Sequence, residues 1–179
     1  MVFSEFVEKN RVKFSVLITM IIIIISRPNY WSIAGGFLVS ILGNLLRLWS
    51  SGYIKKEKVL ASTGPYSLTR NPLYLGNFII GAGFCLASWQ ILSIPIFILF
   101  FLLFYIPLIK NEERRMEEIF KEEYLDYKKK VPVFFPNLKK FPKKDGFSIK
   151  NVIENKEWRG IISTLLFYFA LFLKVILFK

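Results

Sequence analysis

Three groups of polar residues have types and positions suited to holding a charged ligand, and the first is a single arginine. Arg47 lies inside an apolar segment, between leucines and a tryptophan. An arginine within a membrane helix is energetically costly and usually faces a cavity or a partner. Because Gly52 stands near the end of this segment, a side chain that snorkels to the membrane surface is the structural alternative. Arg47 is predicted to orient an anionic group.

The second group lies in a loop between two apolar segments, residues 62–76 (STGPYSLTRNPLYLG). Pro72 suits the first turn of the helix that follows, and Arg70 stands just before it. An exposed helix start beside an arginine is a favourable place for a carboxylate or another anion. A basic connector with two interfacial tyrosines, Tyr66 and Tyr74, is the structural alternative.

A pair of adjacent carboxylates, Glu112 and Glu113, forms the third group, where the fourth apolar segment ends. If one carboxylate points back toward the loop, it can hold a cationic ligand or one that carries hydroxyl groups. A solvated helix start is the alternative, because Arg114 and Arg115 follow directly. The three groups together predict a site that binds and orients charged molecules.

Composition excludes several kinds of chemistry. The chain has no histidine and one cysteine, Cys85, which lies in an apolar run and is predicted to be a buried, inert thiol. A zinc site is therefore disfavoured, and neither a Ser-His-Asp nor a Cys-His nucleophile can be assembled. The formal net charge is +12, yet 54% of the residues are hydrophobic and come in long blocks. This segregation indicates a lipid environment rather than a soluble nucleic-acid binder.

Five apolar blocks supply the elements that must position these groups: residues 14–26, 31–52, 73–88, 91–109 and 160–178. A membrane-spanning segment has to satisfy its own backbone hydrogen bonds, so each block is predicted to be a helix. The fold class is an all-α integral membrane protein with about five transmembrane helices. Short connections predict tight helical hairpins between the first and second blocks and between the third and fourth.

A polar stretch follows the fourth block and begins with a helix. The apolar face of this helix has residues at spacings of three and four: Met116, Phe120, Tyr124 and Tyr127. Pro107 is predicted to kink the junction with the fourth block, and Pro132 to end the helix. The chain is interpreted as one domain, 1–179, with a motif-bearing core (43–136), a lysine-rich, irregular surface linker (137–159) and an additional C-terminal transmembrane helix (160–178).

The distribution of lysine and arginine predicts the orientation in the membrane. The N-terminal stretch, the loop after the second block and residues 110–159 are basic, and with five spans they lie on one side. The two hairpin turns fall on the other side and carry only Arg27. The N-terminus and the candidate site are therefore predicted to be cytoplasmic and the C-terminus outside, with the basic surface attracting anionic membrane lipids.

An ordered set of short motifs runs through the core: GPY at 64–66, RNPLYLG at 70–76, the two glutamates at 112–113, YLDY at 124–127 and VP at 131–132. In this order the motifs resemble the isoprenylcysteine carboxyl methyltransferase family, part of a wider group with the phospholipid N-methyltransferases. The resemblance implies a membrane enzyme that binds S-adenosyl-L-methionine as methyl donor. It further implies a lipid-like or prenylated substrate that enters from the bilayer, with no part for metal or nucleic acid.

The resemblance also implies the site residues, position by position. The cofactor-binding residues would be Lys58, Val59, Leu60, Ala61, Tyr66, Asn71, Pro72, Leu73, Tyr74 and Glu112. Glu113 matches the second acidic position of the family's pair, and Arg47 matches a membrane arginine near cofactor and substrate. Together with Arg70, these two residues are predicted to be the catalytic residues, in orienting roles.

Two positions depart from the family pattern. Asn71 stands where the family commonly has histidine; it keeps a donor and an acceptor but cannot titrate. Leu108 stands where the eukaryotic isoprenylcysteine enzymes have a substrate-contacting arginine, which weakens the case for a prenylcysteine carboxylate. The missing histidine in turn slightly favours a carboxylate acceptor, because an amine must lose a proton.

Other functions therefore stay open at the level of sequence. The nearest alternative is a phospholipid N-methyltransferase, which shares the methyl donor. More distant alternatives are a membrane reductase that uses a reduced nicotinamide cofactor, and a non-enzymatic membrane scaffold or transporter subunit.

Overall fold

The computed structural model describes residues 3–55, 59–137 and 146–178, and every regular element in these ranges is helical. The helices are α1 (Phe3–Ile25), α2 (Tyr30–Ser51), α3 (Pro72–Ser88), α4 (Ser93–Phe100), α5 (Ile106–Lys130), α6 (Ile149–Glu154) and α7 (Trp158–Leu177). A 3₁₀ turn (Gly64–Ser67) precedes α3, and a π-helical turn (Phe101–Tyr105) joins α4 to α5. The all-α prediction is confirmed.

Several of these helices are suited to a bilayer. Among the described residues, three helical segments are long and apolar enough to cross a membrane: Tyr30–Ser51, Ser93–Lys130 and Trp158–Leu177. Helix α3 is apolar but has only 17 residues, and α1 combines a polar first half with an apolar second half. The chain is therefore a multi-pass membrane protein, and the crossing of α1 and α3 stays a prediction.

Helices α2 and α3 form the tightest contact in the bundle, through small residues on both sides. A Cβ atom added at Gly43 would lie 2.7 Å from the carbonyl oxygen of Gly76, and one at Gly36 would meet the backbone and Cβ of Ala87 within 2.7 Å. Between these points the hydroxyl of Ser40 donates to the carbonyl of Ile80 at 3.3 Å. Lipid gives helices no hydrophobic reason to associate, so close approach through small residues is how membrane helices gain contact.

Of the two expected hairpins, only the one between α3 and α4 forms. The turn between α3 and α4 is tight, with Trp89 in the left-handed conformation and the hydroxyl of Ser88 donating to that of Ser93 at 3.0 Å. Helices α1 and α2 are also joined by a short connection, but α1 packs mainly against α3, α4, α5 and α7. The first hairpin prediction was wrong because the small-residue face of α2 is taken up by α3.

The segment around Pro107 is distorted, as predicted. The π-helical turn Phe101–Tyr105 ends just before the turn that contains Pro107, which cannot donate a backbone hydrogen bond. Further along α5, Lys121 has non-helical backbone angles (φ 46°, ψ −120°). The apolar face survives this interruption, since Tyr124 and Tyr127 still cluster with Met116 and Phe120.

The C-terminal part is more ordered than the sequence predicted. Residues 138–145 lie outside the described residues, but 149–154 form α6, and Asn151 Nδ2 donates to the carbonyl of Gly52 at 2.8 Å. Helix α7 belongs to the bundle. The ring of Phe167 stacks on that of Phe84 with centroids 3.7 Å apart, and the Tyr168 hydroxyl lies 2.8 Å from that of Ser40. The additional helix therefore covers the α2–α3 pair.

The α2–α3 contact predicts unequal effects of two neighbouring substitutions. Gly36→Ala places a methyl group against the backbone of α3 and should destabilise the fold by about 1–3 kcal/mol through overpacking. Gly35→Ala is the matched control, because its Cβ would meet only Leu86 Cδ2 at 3.7 Å. The measurement is the melting midpoint in detergent at one scan rate, and equal midpoints for both variants would contradict this packing.

Candidate functional site

The loop before α3 depends on Gly64, because any residue with a side chain would be strained at this position. Gly64 has a φ of +57°, and a Cβ there would collide with the ring of Tyr53. The next residues, Pro65 and Tyr66, are buried. Gly64 thus lets the loop turn closely over Tyr53 and directs Tyr66 into the protein.

The segment that follows α5, residues 131–137, is hydrogen-bonded to this loop. The backbone N–H of Arg70 donates to the carbonyl of Pro132 at 2.9 Å, and the hydroxyl of Thr69, almost fully buried, donates to the carbonyl of Phe134 at 2.9 Å. The backbone N–H of Asn137 returns to the carbonyl of Leu68 at 2.9 Å. These bonds join two stretches that are about sixty positions apart in the chain.

Glu113 is the electrostatic link between the loop and α5. Its Oε1 lies 3.2 Å from Nη1 of Arg70 and accepts a hydrogen bond of 3.4 Å from Nδ2 of Asn71. The same amide of Asn71 donates to the carbonyl of Val133 at 3.0 Å. The second glutamate of the pair therefore points back toward the loop, where it meets Arg70 and Asn71.

Arg70 retains capacity to bind a further group. Its guanidinium lies near the hydroxyl of Tyr124, and its side chain is only 11% exposed. Its Nε is buried and has no hydrogen-bond acceptor within the described parts of the chain, whereas its buried Nη1 faces the carboxylate of Glu113. Leaving buried donors unpaired is costly, so an anionic ligand would be stabilised here.

The first glutamate of the pair faces the start of α3. The hydroxyl of Tyr74 lies close to the carboxylate of Glu112, and the Glu112 side chain is exposed. The ring of Tyr74 meets that of Tyr105 edge-on, with centroids 5.7 Å apart. Glu112 therefore combines an accessible carboxylate with an aromatic wall.

Two buried tyrosines lie beneath the loop. The hydroxyl of Tyr127 donates to the backbone carbonyl of Tyr66 at 2.7 Å. Burial raises the pKa of Tyr66 well above its ordinary value, and the negative charge of Glu112 raises it further. Burial also raises the pKa of Tyr127. Both phenols are therefore neutral near pH 7 and can serve as hydrogen-bond donors but not as phenolate bases.

The remaining predicted cofactor residues occupy different surroundings. Lys58 lies outside the described residues. Val59 is 58% exposed. Leu60 is buried against Tyr124 and Tyr127 of α5 and against Val131, which directly follows α5. Three more lie next to these elements and are half-buried or buried: Ala61, Pro72 and Leu73. The structure thus brings most of the predicted set to one end of the bundle, with Leu60 packed inward.

Arg47 lies deeper and has partners that the sequence did not reveal. Its Nη1 donates to Oδ1 of Asn77 at 2.6 Å, and its Nη2 pairs with Oε2 of Glu157 at 2.7 Å. Asn77 could have been recognised from the sequence, because it is a polar residue in an apolar block. Glu157 could not, because it lies in the segment interpreted as a surface linker. The guanidinium is thus held by two protein groups, and the Arg47 side chain is 19% exposed.

The chain matches the sequence model of the phospholipid methyltransferase family over residues 15–123. It is 43% identical over 84 residues to the protein-S-isoprenylcysteine O-methyltransferase of Saccharomyces cerevisiae, covering 46% of this chain and 35% of that protein. The corresponding Rattus norvegicus enzyme is 31% identical over 121 residues, 61% of this chain and 43% of that one.

Other relatives have different names. The nickel-cobalt-cadmium resistance protein NccN of Alcaligenes xylosoxydans xylosoxydans is 36% identical over 117 residues, 62% of this chain and 54% of that protein. The chain thus spans about half, or less, of the length of the curated relatives it matches. No solved structure matches it significantly. Across residues 3–55, 59–137 and 146–178, no group of three or more His, Cys, Asp or Glu could hold a metal ion.

The contacts of Asn71 predict the effect of a nearly isosteric change. Asn71→Asp replaces the donating amide by a carboxylate that faces both Glu113 and the carbonyl of Val133, so the fold should lose about 1–3 kcal/mol. The loss should shrink as the pH falls, because repulsion raises the pKa of the new carboxyl and its protonation restores a donor.

The matched control is Asn10→Asp, where an exposed amide also donates to a backbone carbonyl, that of Phe6 at 2.9 Å. Denaturant titrations of both variants at pH 5 and pH 8 provide the measurement. A penalty for Asn71→Asp no larger than that of Asn10→Asp would contradict the described contact with Glu113.

Proposed function

The chain belongs to the phospholipid methyltransferase family, and on this premise we propose that it is an integral membrane enzyme that transfers a methyl group from S-adenosyl-L-methionine to a lipid-like acceptor. The observation that carries the proposal is the convergence of Arg70, Asn71 and Tyr74 with the pair Glu112-Glu113 at one end of the bundle. The family model covers all of these residues.

The residues at this end fit the charged ends of the methyl donor. The buried Nε of Arg70, which has no acceptor among the described residues, suits its carboxylate, and the exposed carboxylate of Glu112 suits its amine or ribose hydroxyls. Tyr66 and Tyr74 offer aromatic surface for the adenosine, and the backbone of residues 59–61 lies against the same helix end. Asn71 and Glu113 hold Arg70 in place, as positioning residues.

The bound cofactor supplies an activated methyl group on a sulfonium, which a nucleophile displaces in line. The chain's own residues then have to align the reactants and exclude water, which in the best intramolecular cases provides roughly 7–11 kcal/mol. A carboxylate acceptor needs no base. An amine acceptor would pass its proton to a carboxylate such as Glu112 or Glu113, because the nearby tyrosines stay protonated.

Two acceptor classes remain, and each has support. The name of the yeast and rat relatives suggests a prenylcysteine carboxylate, and the family description suggests a phospholipid amine. Leu108 is buried, 4% exposed, where the eukaryotic isoprenylcysteine enzymes have arginine, so that contact is missing. We place the site at the cytoplasmic face, on the basic end of the protein, where the acceptor's polar group reaches it from the bilayer.

Calorimetric titration with S-adenosylhomocysteine tests the cofactor site. Arg70→Ala and Glu112→Ala should each weaken binding by about tenfold or more, since a hydrogen bond to a charged group contributes about 1.5–3 kcal/mol. Arg114→Ala and Glu118→Ala are matched controls on the same helix, as both side chains are more than two-thirds exposed. Unchanged affinity in both site variants would refute the assignment.

A labelled-methyl assay identifies the acceptor class. The purified protein is incubated with methyl-labelled cofactor and, separately, prenylcysteine analogues, phosphatidylethanolamine and isoprenoid acids. We expect label in one lipid-extractable product. A base-labile product indicates a methyl ester, and a base-stable product indicates a methylamine. Label confined to water-soluble products would count against a lipid acceptor.

A further inference from the structure

A cavity of about 210 Å³ lies within the apolar part of the bundle, between α1, α2, α3, α4 and α7. Its walls include both aromatic and polar residues, among them Phe84, Phe97, Phe100, Arg47, Asn77 and Thr164. The volume is several times the roughly 30 Å³ that one water molecule occupies. A cavity of this composition among membrane helices suits part of a lipid chain with a small polar group at its end.

The polar end of this cavity is electrically neutral because of Glu157. The Oε2 of Glu157 pairs with the guanidinium of Arg47 at 2.7 Å, and Glu157 is only 7% exposed. Asn77 accepts a second hydrogen bond from the guanidinium. Helix α7 thus supplies the counter-charge.

The cavity and the candidate cofactor site share a wall. Tyr105 lines the cavity and its ring meets that of Tyr74 edge-on, with centroids 5.7 Å apart, and the hydroxyl of Tyr74 lies close to Glu112. A lipid in the cavity would therefore lie next to the residues proposed to hold the methyl donor. The counter-charge comes from outside residues 15–123, the range that the family model covers.

We propose that Glu157 is a specificity-determining residue: by neutralising Arg47 it makes the cavity accept a lipid whose buried polar group is uncharged and reject one whose group is anionic. The role in acceptor choice rests on the proposed methyltransferase function, whereas the binding preference does not. The earlier prediction that Arg47 orients an anion is thus tested together with this proposal.

Binding of two amphiphiles with the same chain tests the proposal. The protein is placed in phosphatidylcholine nanodiscs, and radiolabelled hexadecanol and hexadecyl sulfonate are titrated, with binding to empty nanodiscs subtracted. The wild type should prefer hexadecanol. In Glu157→Gln the unpaired guanidinium should tighten sulfonate binding by about tenfold or more, since opposite charges attract strongly away from water. Hexadecanol binding should change by less than about twofold in that variant, as it carries no charge.

Two further variants complete the experiment. Glu154→Gln is the matched control, because Glu154 is exposed and contacts only Lys150 at 3.8 Å among the described ion pairs; it should leave both affinities unchanged. If Glu157→Gln does not fold, Arg47→Gln/Glu157→Gln removes both charges and should bind the sulfonate no better than the wild type does.

Two results would overturn the proposal: a wild type that prefers the sulfonate, or a folded Glu157→Gln protein with unchanged sulfonate affinity. Neither assay contains a methyl donor, so such a result with intact S-adenosylhomocysteine binding overturns only this inference. A wild-type protein that does not bind S-adenosylhomocysteine would overturn the proposed function instead.

Discussion

Buried charge at the membrane boundary has to be compensated, and in this protein distant parts of the chain provide the compensation. Arg70 of the loop meets Glu113 of α5, and Arg47 of α2 meets Glu157 at the start of α7. Each pair joins segments that the sequence separates by more than forty positions. The loop, the post-membrane helix and the C-terminal helix therefore hold their places largely because an arginine on one side requires a carboxylate on the other.

These ion pairs depend on the close contact of α2 and α3. The small residues of this contact let the two backbones approach until a Cβ at Gly76 would strike the side chain of Arg47. Arg47 is thereby directed along α3 toward Asn77 and α7 rather than outward to lipid. The same contact fixes where α3 begins, and hence where Arg70 and Asn71 stand relative to α5.

The two arginines are arranged for different tasks. Arg70 has a buried Nε left over after its Nη1 meets Glu113, whereas the charge of Arg47 is matched by a carboxylate at a shorter distance. An arginine with spare donors is suited to capture an anion, and a matched one is suited to join helices. This contrast separates the proposed cofactor site from the cavity within the bundle, although the rings of Tyr74 and Tyr105 connect them.

Much of the candidate site was readable from motifs because its residues lie at helix boundaries. Pro72 begins α3, the two glutamates follow the apolar half of the Ser93–Lys130 helix, and the spacing of Tyr124 and Tyr127 defines one helical face. These features follow from local geometry and from the need to bury apolar blocks. The inward packing of Leu60 was not readable, since a loop residue's direction depends on what it meets.

The sequence by itself determined the all-helical membrane class, the apolar blocks and the motif residues at one end of the bundle, because backbone hydrogen bonding in lipid and helical periodicity act locally. Only the tertiary structure decided that α1 packs mainly against helices other than α2, that residues 149–154 form a helix, and that Glu157 neutralises Arg47. These outcomes depend on which surfaces approach closely enough to exclude lipid and pair charges, and neither composition nor spacing encodes the contact of two segments more than a hundred residues apart.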